Sequence, residues 1–180
     1  GFCFGFDNKL VNGEDSYIFG ASNIIYNSYD SICNFVTGKN NRVFDCSSGF
    51  ISGTNNILGH ISADGDFSPV QSTIFGDTNF VLCGNSYVFG NNNTFVTGYL
   101  NTGFGQNLDL SRCEVTTMFG SGSFVSDASN VTIFGDNHLI TNYTTGSFII
   151  GHNNNETLGN YNLTYGKSHV TTTSNQSFIG

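Results

Sequence analysis

Short apolar runs recur along this chain, each closed by a glycine and followed by a polar stretch. The closing glycines are Gly5, Gly20, Gly38, Gly53, Gly76, Gly90, Gly105, Gly120, Gly135, Gly151, Gly166 and Gly180, and nine of their eleven intervals fall between 14 and 16 residues. Such regularity is a period, and a period of this length marks a repeat architecture. Phenylalanine precedes the glycine at Phe4, Phe19, Phe75, Phe89, Phe104, Phe119 and Phe134. Three residues after the glycine stands a second column, Asn8, Asn23, Asn41, Asn56, Asn79, Asn93 and Asn154, with His138 and His169 in two other repeats. One or two apolar residues then follow, as in Ile24-Ile25 and Leu139-Ile140. The unit therefore reads as two short strands and two turns, too small to bury anything alone.

Stacking such units as parallel strands pairs every backbone group with the next coil. The pattern predicts an all-β fold, a parallel β-solenoid (β-roll or β-helix) of about twelve coils with a repeat of about 15 residues. It reads as a single array over 1–180, with longer coils at 21–38 and 54–76. Twelve coils spaced by about 4.8 Å would extend roughly 55 Å. Glycine supplies the positive φ of a tight corner. Asparagine is expected at left-handed corners, where its amide can bond along a stack of identical neighbours.

The strand before the glycine, as in Tyr17-Ile18-Phe19, Tyr87-Val88-Phe89 and Phe148-Ile149-Ile150, is apolar on both faces because side chains alternate. A two-stranded coil has one interior, so the second apolar face needs a cover. Phe19, Phe75, Phe89, Phe104, Phe119 and Phe134 are thus candidates for an oligomer interface. The alternative is that these rings fill a corner of the coil.

Composition narrows the class. With 3 Ala and 1 Pro against 25 Asn, 23 Gly, 20 Ser and 18 Thr, the composition argues against a helical bundle. Eighteen Phe and 8 Tyr speak against simple disorder. Five basic and 13 acidic residues, net charge −8, leave no footprint for nucleic acid. No apolar run approaches the roughly 18 residues of a membrane span, so no membrane insertion is expected. The chain begins at Gly1 without an initiator Met, which suggests a processed product or an excised piece.

The stretch Asn85-Ser-Tyr-Val-Phe-Gly-Asn-Asn-Asn-Thr-Phe-Val-Thr-Gly98 resembles the head repeats of YadA-like trimeric autotransporter adhesins, as do residues 130–140 and 147–154. The resemblance implies a left-handed parallel β-roll with three chains around one axis, and a cell-surface, adhesive role. This chain departs from that family in placing Asn and Phe where small residues are usual, and in carrying cysteines.

Candidate chemistry is sparse. No nucleophile elbow, phosphate loop or paired metal motif occurs, so no enzyme activity, cofactor or metal is expected. Asp64-Gly65-Asp66, in the longer coil that also holds Pro69, reads as a plain turn rather than a calcium loop. Cys46, Cys83 and Cys113 share one column two coils apart, roughly 10 Å by strand spacing and too far for a disulfide. They are read as buried thiols, while the pairing of Cys3 and Cys33 stays open. His60, His138, His152 and His169 suggest no metal site, and the two in the asparagine column read as turn residues. Glycosylation sequons stand at Asn92, Asn130, Asn142, Asn155, Asn162 and Asn175, a number that chance alone would give.

The expected function is a non-catalytic extracellular segment of a cell-surface fibre or filament that self-associates, as a trimer or end to end. A host or surface glycan or protein would be its partner. The alternative is a single-chain solenoid that binds glycan or ice, although Thr171-Thr172-Thr173 and Thr116-Thr117 make no regular ice face.

Overall fold

A computed structural model of the chain describes residues 1–13, 15–31, 34–44, 46, 48–59, 71–82 and 84–180. The fold is all-β, a parallel solenoid of about ten turns with a repeat of about 15 residues. That is close to the expected twelve coils, since twelve glycine marks enclose fewer complete turns. Two compact units are distinguished, Gly1–Asn92 and Asn93–Gly180.

In the first unit, one sheet stacks Phe2–Phe6, Tyr17–Ala21, Phe35–Lys39, Gly49–Thr54, Ser72–Asp77 and Tyr87–Asn91 in that order, all parallel. Register is set by the glycines, with Gly5, Gly20, Gly38, Gly53, Gly76 and Gly90 paired in succession. The opposing sheet stacks Lys9–Gly13, Ile24–Ser31, Arg42–Phe44, Ile57–Gly59 and Phe80–Val81. The side chains that point between the sheets are fully buried: Ile18, Val36, Ile51, Ile74 and Val88 from one, Ile25, Val43, Leu58 and Val81 from the other. A narrow interior filled by one branched residue per strand is what β-propensity favours.

The second unit repeats this plan. Its glycine-bearing sheet runs Thr102–Gln106, Thr117–Ser121, Thr132–Asp136, Phe148–His152, Leu163–Lys167 and Phe178–Ile179. The opposing sheet runs Thr94–Tyr99, Asp109–Glu114, Phe124–Ser126, Leu139–Thr141, Asn155–Thr157 and Val170–Thr172. Core size is matched across the two. Phe95, the largest fully buried side chain, faces Gly103, where an added Cβ would lie 2.4 Å from its ring.

A feature absent from the two-turn reading is a third line of contacts in this unit, single bridges joining Glu114, Ser129, Thr145, Asn160 and Asn175. Several coils here have three left-handed corners, for example Gly122, Asp127 and Asn130, then Asn153, Leu158 and Tyr161. Fifteen residues therefore divide into three sides rather than two.

Candidate functional site

The phenylalanine columns lie on the outward face of the glycine-bearing sheets. In the second unit Phe104, Phe119 and Phe134 stack at centroid separations of 4.9 Å with rings within 2° of parallel, and Phe148, two residues before the Ile150 that pairs with Phe134, extends the row sideways at 5.8 Å with its ring tilted by 51°. These four rings remain 36–38% exposed despite their mutual contacts. In the first unit Phe75 and Phe89 stack at 5.2 Å. Thr37 and Ser52 occupy the phenylalanine position of two rungs, and the row shifts sideways there. Phe19, Phe35, Phe50 and Phe75 follow one another at 5.6, 5.2 and 5.1 Å, with Phe35 and Phe50 standing two residues earlier in their strands. Parallel in-register strands place like residues one rung apart, so aromatic stacking is a direct result of the period. Tyr17 and Tyr87, each 43% exposed, widen the apolar strip.

On another side of the first unit an open groove of about 650 Å³ follows a corner of the coil. One wall is the left-handed row Asp7, Ser22, Asn40 and Asn55. The other is the outward column Lys9, Ile24, Arg42 and Ile57, consecutive partners in the opposing sheet. Among the described residues the sole ion pair is Arg112 with Asp127, at 2.7 Å in the second unit, so Lys9 and Arg42 form none with those residues.

The asparagine column is placed differently from its expected role as a left-handed corner. The left-handed residue is the one before it: Asp7, Ser22, Asn40, Asn55, Thr78, Asn92 and Asn153. That residue reverses the chain so that the next side chain points inward, and Asn23, Asn41, Asn56, Asn79, Asn93 and Asn154 are buried. The inward amides do bond along the stack. Asn41 Oδ1 accepts from the backbone N–H and Nδ2 of Asn56, both at 3.0 Å. Asn56 Oδ1 does the same for Asn79, and Asn8 for Asn23 at 3.0 and 3.1 Å. Each Nδ2 also donates to a glycine carbonyl of the following rung, Gly38, Gly53, Gly76 and Gly90 for Asn23, Asn41, Asn56 and Asn79. Buried polar groups are thereby satisfied without water.

In the second unit this column reads Asn93, Leu108, Ser123, His138, Asn154 and His169. His138 sits in the turn between Thr132–Asp136 and Leu139–Thr141 with its side chain buried; its Nδ1 accepts from the Asn154 N–H at 3.3 Å, while Nε2 has no partner among the described residues. Burial pushes its pKa below the ordinary 6.5, outweighing backbone contacts and the charge of Asp136 that act upward. The native state thus holds His138 neutral where the unfolded chain would bind a proton. Stability is complete above pH 6.5 and declines as pH falls through 6.5 towards the lowered native pKa. His138→Asn should flatten urea midpoints measured from pH 7 to 5 relative to the parent. An unchanged pH slope would count against this account.

Polar residues also enter the interior of the last turns. Glu156 continues the inward column of Val125 and Ile140, and its Oε1 accepts from Ser147 Oγ at 2.6 Å and Asn162 Nδ2 at 2.8 Å. Its Oε2, with Thr164 Oγ1 and Thr171 Oγ1, lacks a partner. Asn162 is therefore buried, whereas Asn92, Asn130, Asn142 and Asn175 are exposed and Asn155 is half-buried. A glycan on Asn162 would have to precede folding of that turn.

Cys46 and Cys113 are buried free thiols and Cys3 is an exposed one. Burial pushes the Cys46 pKa up to about 12 and that of Cys113 upward, which keeps both protonated and weakly nucleophilic. Cys33, Cys83, His60, Asp64-Gly65-Asp66 and Pro69 lie outside the described residues. Among the described residues no three His, Cys, Asp or Glu side chains gather as metal ligands, and no helix is long and apolar enough to cross a membrane.

No protein-family model matches the chain, and no curated protein is similar to it in sequence. The fold places it in the class of parallel β-solenoid repeat proteins, with an aromatic strip and a corner groove as its surface features.

Proposed function

We propose that this solenoid is a non-catalytic, adhesive building element of an extracellular or cell-surface fibre, and that it self-associates through its aromatic strip. The supporting observation is the row Phe104, Phe119, Phe134 and Phe148, each more than one-third exposed on a regular sheet face. Contiguous apolar surface of this kind favours a protein partner over solvent. A second copy presents the same strip with the same rung spacing, so its rings can interleave with these. The sequence likeness to trimeric adhesin heads supports three copies around an axis, and end-to-end stacking of strand edges is the other arrangement.

Light scattering after size exclusion tests this reading. A trimer of the 19.4 kDa chain would give about 58 kDa. Phe119→Asp, which sets a carboxylate in the centre of the row, should reduce that mass to one chain with an unchanged circular dichroism spectrum. A variant that keeps the parent mass, or a parent that is itself a monomer, would defeat self-association. The chain would then be read as a single-molecule binder.

A further inference from the structure

The corner groove of the first unit is separate from the aromatic strip, and its chemistry is of another kind. Charge is the first clue. The chain has only 5 basic residues and a net charge of −8. Yet Lys9 and Arg42 stand in one outward column with Ile24 between them, and Lys39 directly precedes Asn40 of the facing wall. Two of the five cations thus line the groove within three consecutive turns, and a third is the sequence neighbour of a lining residue. One carboxylate, Asp7, lines the groove at its first rung, and no ion pair forms there among the described residues.

Spacing is the second clue. Lys9 and Arg42 are two rungs apart, about 10 Å along the stack by strand spacing. The site therefore suits a linear ligand with separated negative groups better than a single small anion. A volume of 650 Å³ is within the range of about 300–1,000 Å³ typical of ligand sites.

The third clue distinguishes a sugar chain from a peptide. A peptide that adds as an extended strand would dock by pairing with free backbone groups. Here the corner N–H groups are already used between rungs: Ser22 donates to Phe6 O, Asn40 to Ala21 O and Asn55 to Lys39 O, at 2.9, 3.0 and 3.0 Å. Lys9, Ile24 and Arg42 donate likewise to Asn23, Asn41 and Asn56 carbonyls, each at 2.8 Å. What faces outward is side-chain chemistry: amides, a hydroxyl, two aliphatic surfaces and two cations. Asn40 Nδ2 donates to Asn55 Oδ1 at 3.2 Å, which ties these two exposed amides together along the wall. Amides and hydroxyls match sugar hydroxyls, Ile24 and Ile57 match the apolar face of a pyranose ring, and the Arg42 fork matches a carboxylate or sulfate.

We propose that this groove binds an acidic polysaccharide, with Lys9 and Arg42 holding its anionic groups and Asn40, Asn55 and Ser22 its hydroxyls. Such binding is independent of self-association, because the groove and the aromatic strip share no residue.

The test is calorimetric titration of the full chain with four probes: a galacturonate oligosaccharide, a heparin oligosaccharide, a neutral glucan of equal length and polyglutamate. Binding of either acidic oligosaccharide, and neither control, is the expected result; which of the two binds tells carboxylate from sulfate recognition. Lys9→Gln with Arg42→Gln should weaken it by about tenfold per cation. Arg112→Gln should leave it unchanged, and Asp7→Asn should tighten it. Overall charge repels polyanions, so a signal cannot come from bulk attraction. Absence of binding by both acidic sugars, an undiminished signal in the double variant, or equal binding of polyglutamate would overturn the proposal. The same titrations on Phe119→Asp separate the two readings, since loss of the oligomer should not touch the groove.

Discussion

Gly120→Ala is expected to unfold the second unit, a larger effect than any exposed aromatic substitution in the same strand. The backbone there has φ of +142°, a region that L side chains rarely adopt. Sterics are worse than conformation alone. A Cβ on Gly120 would lie 1.7 Å from the carbonyl oxygen of Gly135, its in-register partner in the next rung. That oxygen is backbone within a parallel ladder and cannot swing away. Rungs would have to separate locally, breaking hydrogen bonds on both sides. The loss should exceed about 4 kcal/mol, the exceptional end of single substitutions, against a typical total stability of about 5–15 kcal/mol. Phe119→Ala is the control, next in sequence but outward. It gives up two stacked contacts at 4.9 Å, worth about 1 kcal/mol each. Urea unfolding followed by circular dichroism compares them, and equal midpoints would refute the argument.

Asn56→Ala should be the most damaging side-chain truncation in the first unit. One amide joins three rungs: Nδ2 donates to Asn41 Oδ1 and to Gly76 O, and Oδ1 accepts from two donors of Asn79. Truncation strands all of these groups in a buried position. With about 1–3 kcal/mol for each unsatisfied buried group, the cost should reach at least about 3 kcal/mol. The preceding residue gives the contrast. Asn55 is exposed at a left-handed corner, φ 56°, where glycine is equally at ease, so Asn55→Gly should shift the midpoint little. If both changes had similar effects, the inward ladder would not be the source of stability.

These neighbours also show what the sequence made legible. The period, the parallel stack and the doubly apolar strand follow from Gly and Phe spacing, because register in a parallel ladder copies sequence spacing into space. The asparagine column was visible as a column, and its bonding along the stack followed from its chemistry. Its direction was not, since Asn40-Asn41, Asn55-Asn56 and Asn92-Asn93 are doublets in which one residue turns the chain and the other points in. Composition cannot separate the two. Thr37 and Ser52 looked like gaps in the phenylalanine row, and the sideways step to Phe35 and Phe50 needed the register of adjacent rungs. The groove was missed altogether. Lys9 and Arg42 are 33 positions apart in sequence, and only the unequal lengths of the intervening turns, once laid in register, bring them into one column.

The pairing of Gly53 with Gly76 across 23 residues, and of Ile57 with Phe80 on the opposing sheet, shows that each turn resets its own alignment. Surplus chain between Gly59 and Gln71 leaves both neighbouring ladders in step. Foreign segments could therefore be spliced at an exposed corner such as Asn142–Tyr143 at little more than the entropy of closing a longer loop, which grows only by about 0.6 kcal/mol for each doubling of length. The coil then serves as a mounting rail on which displayed peptides are set at intervals fixed by the rung spacing.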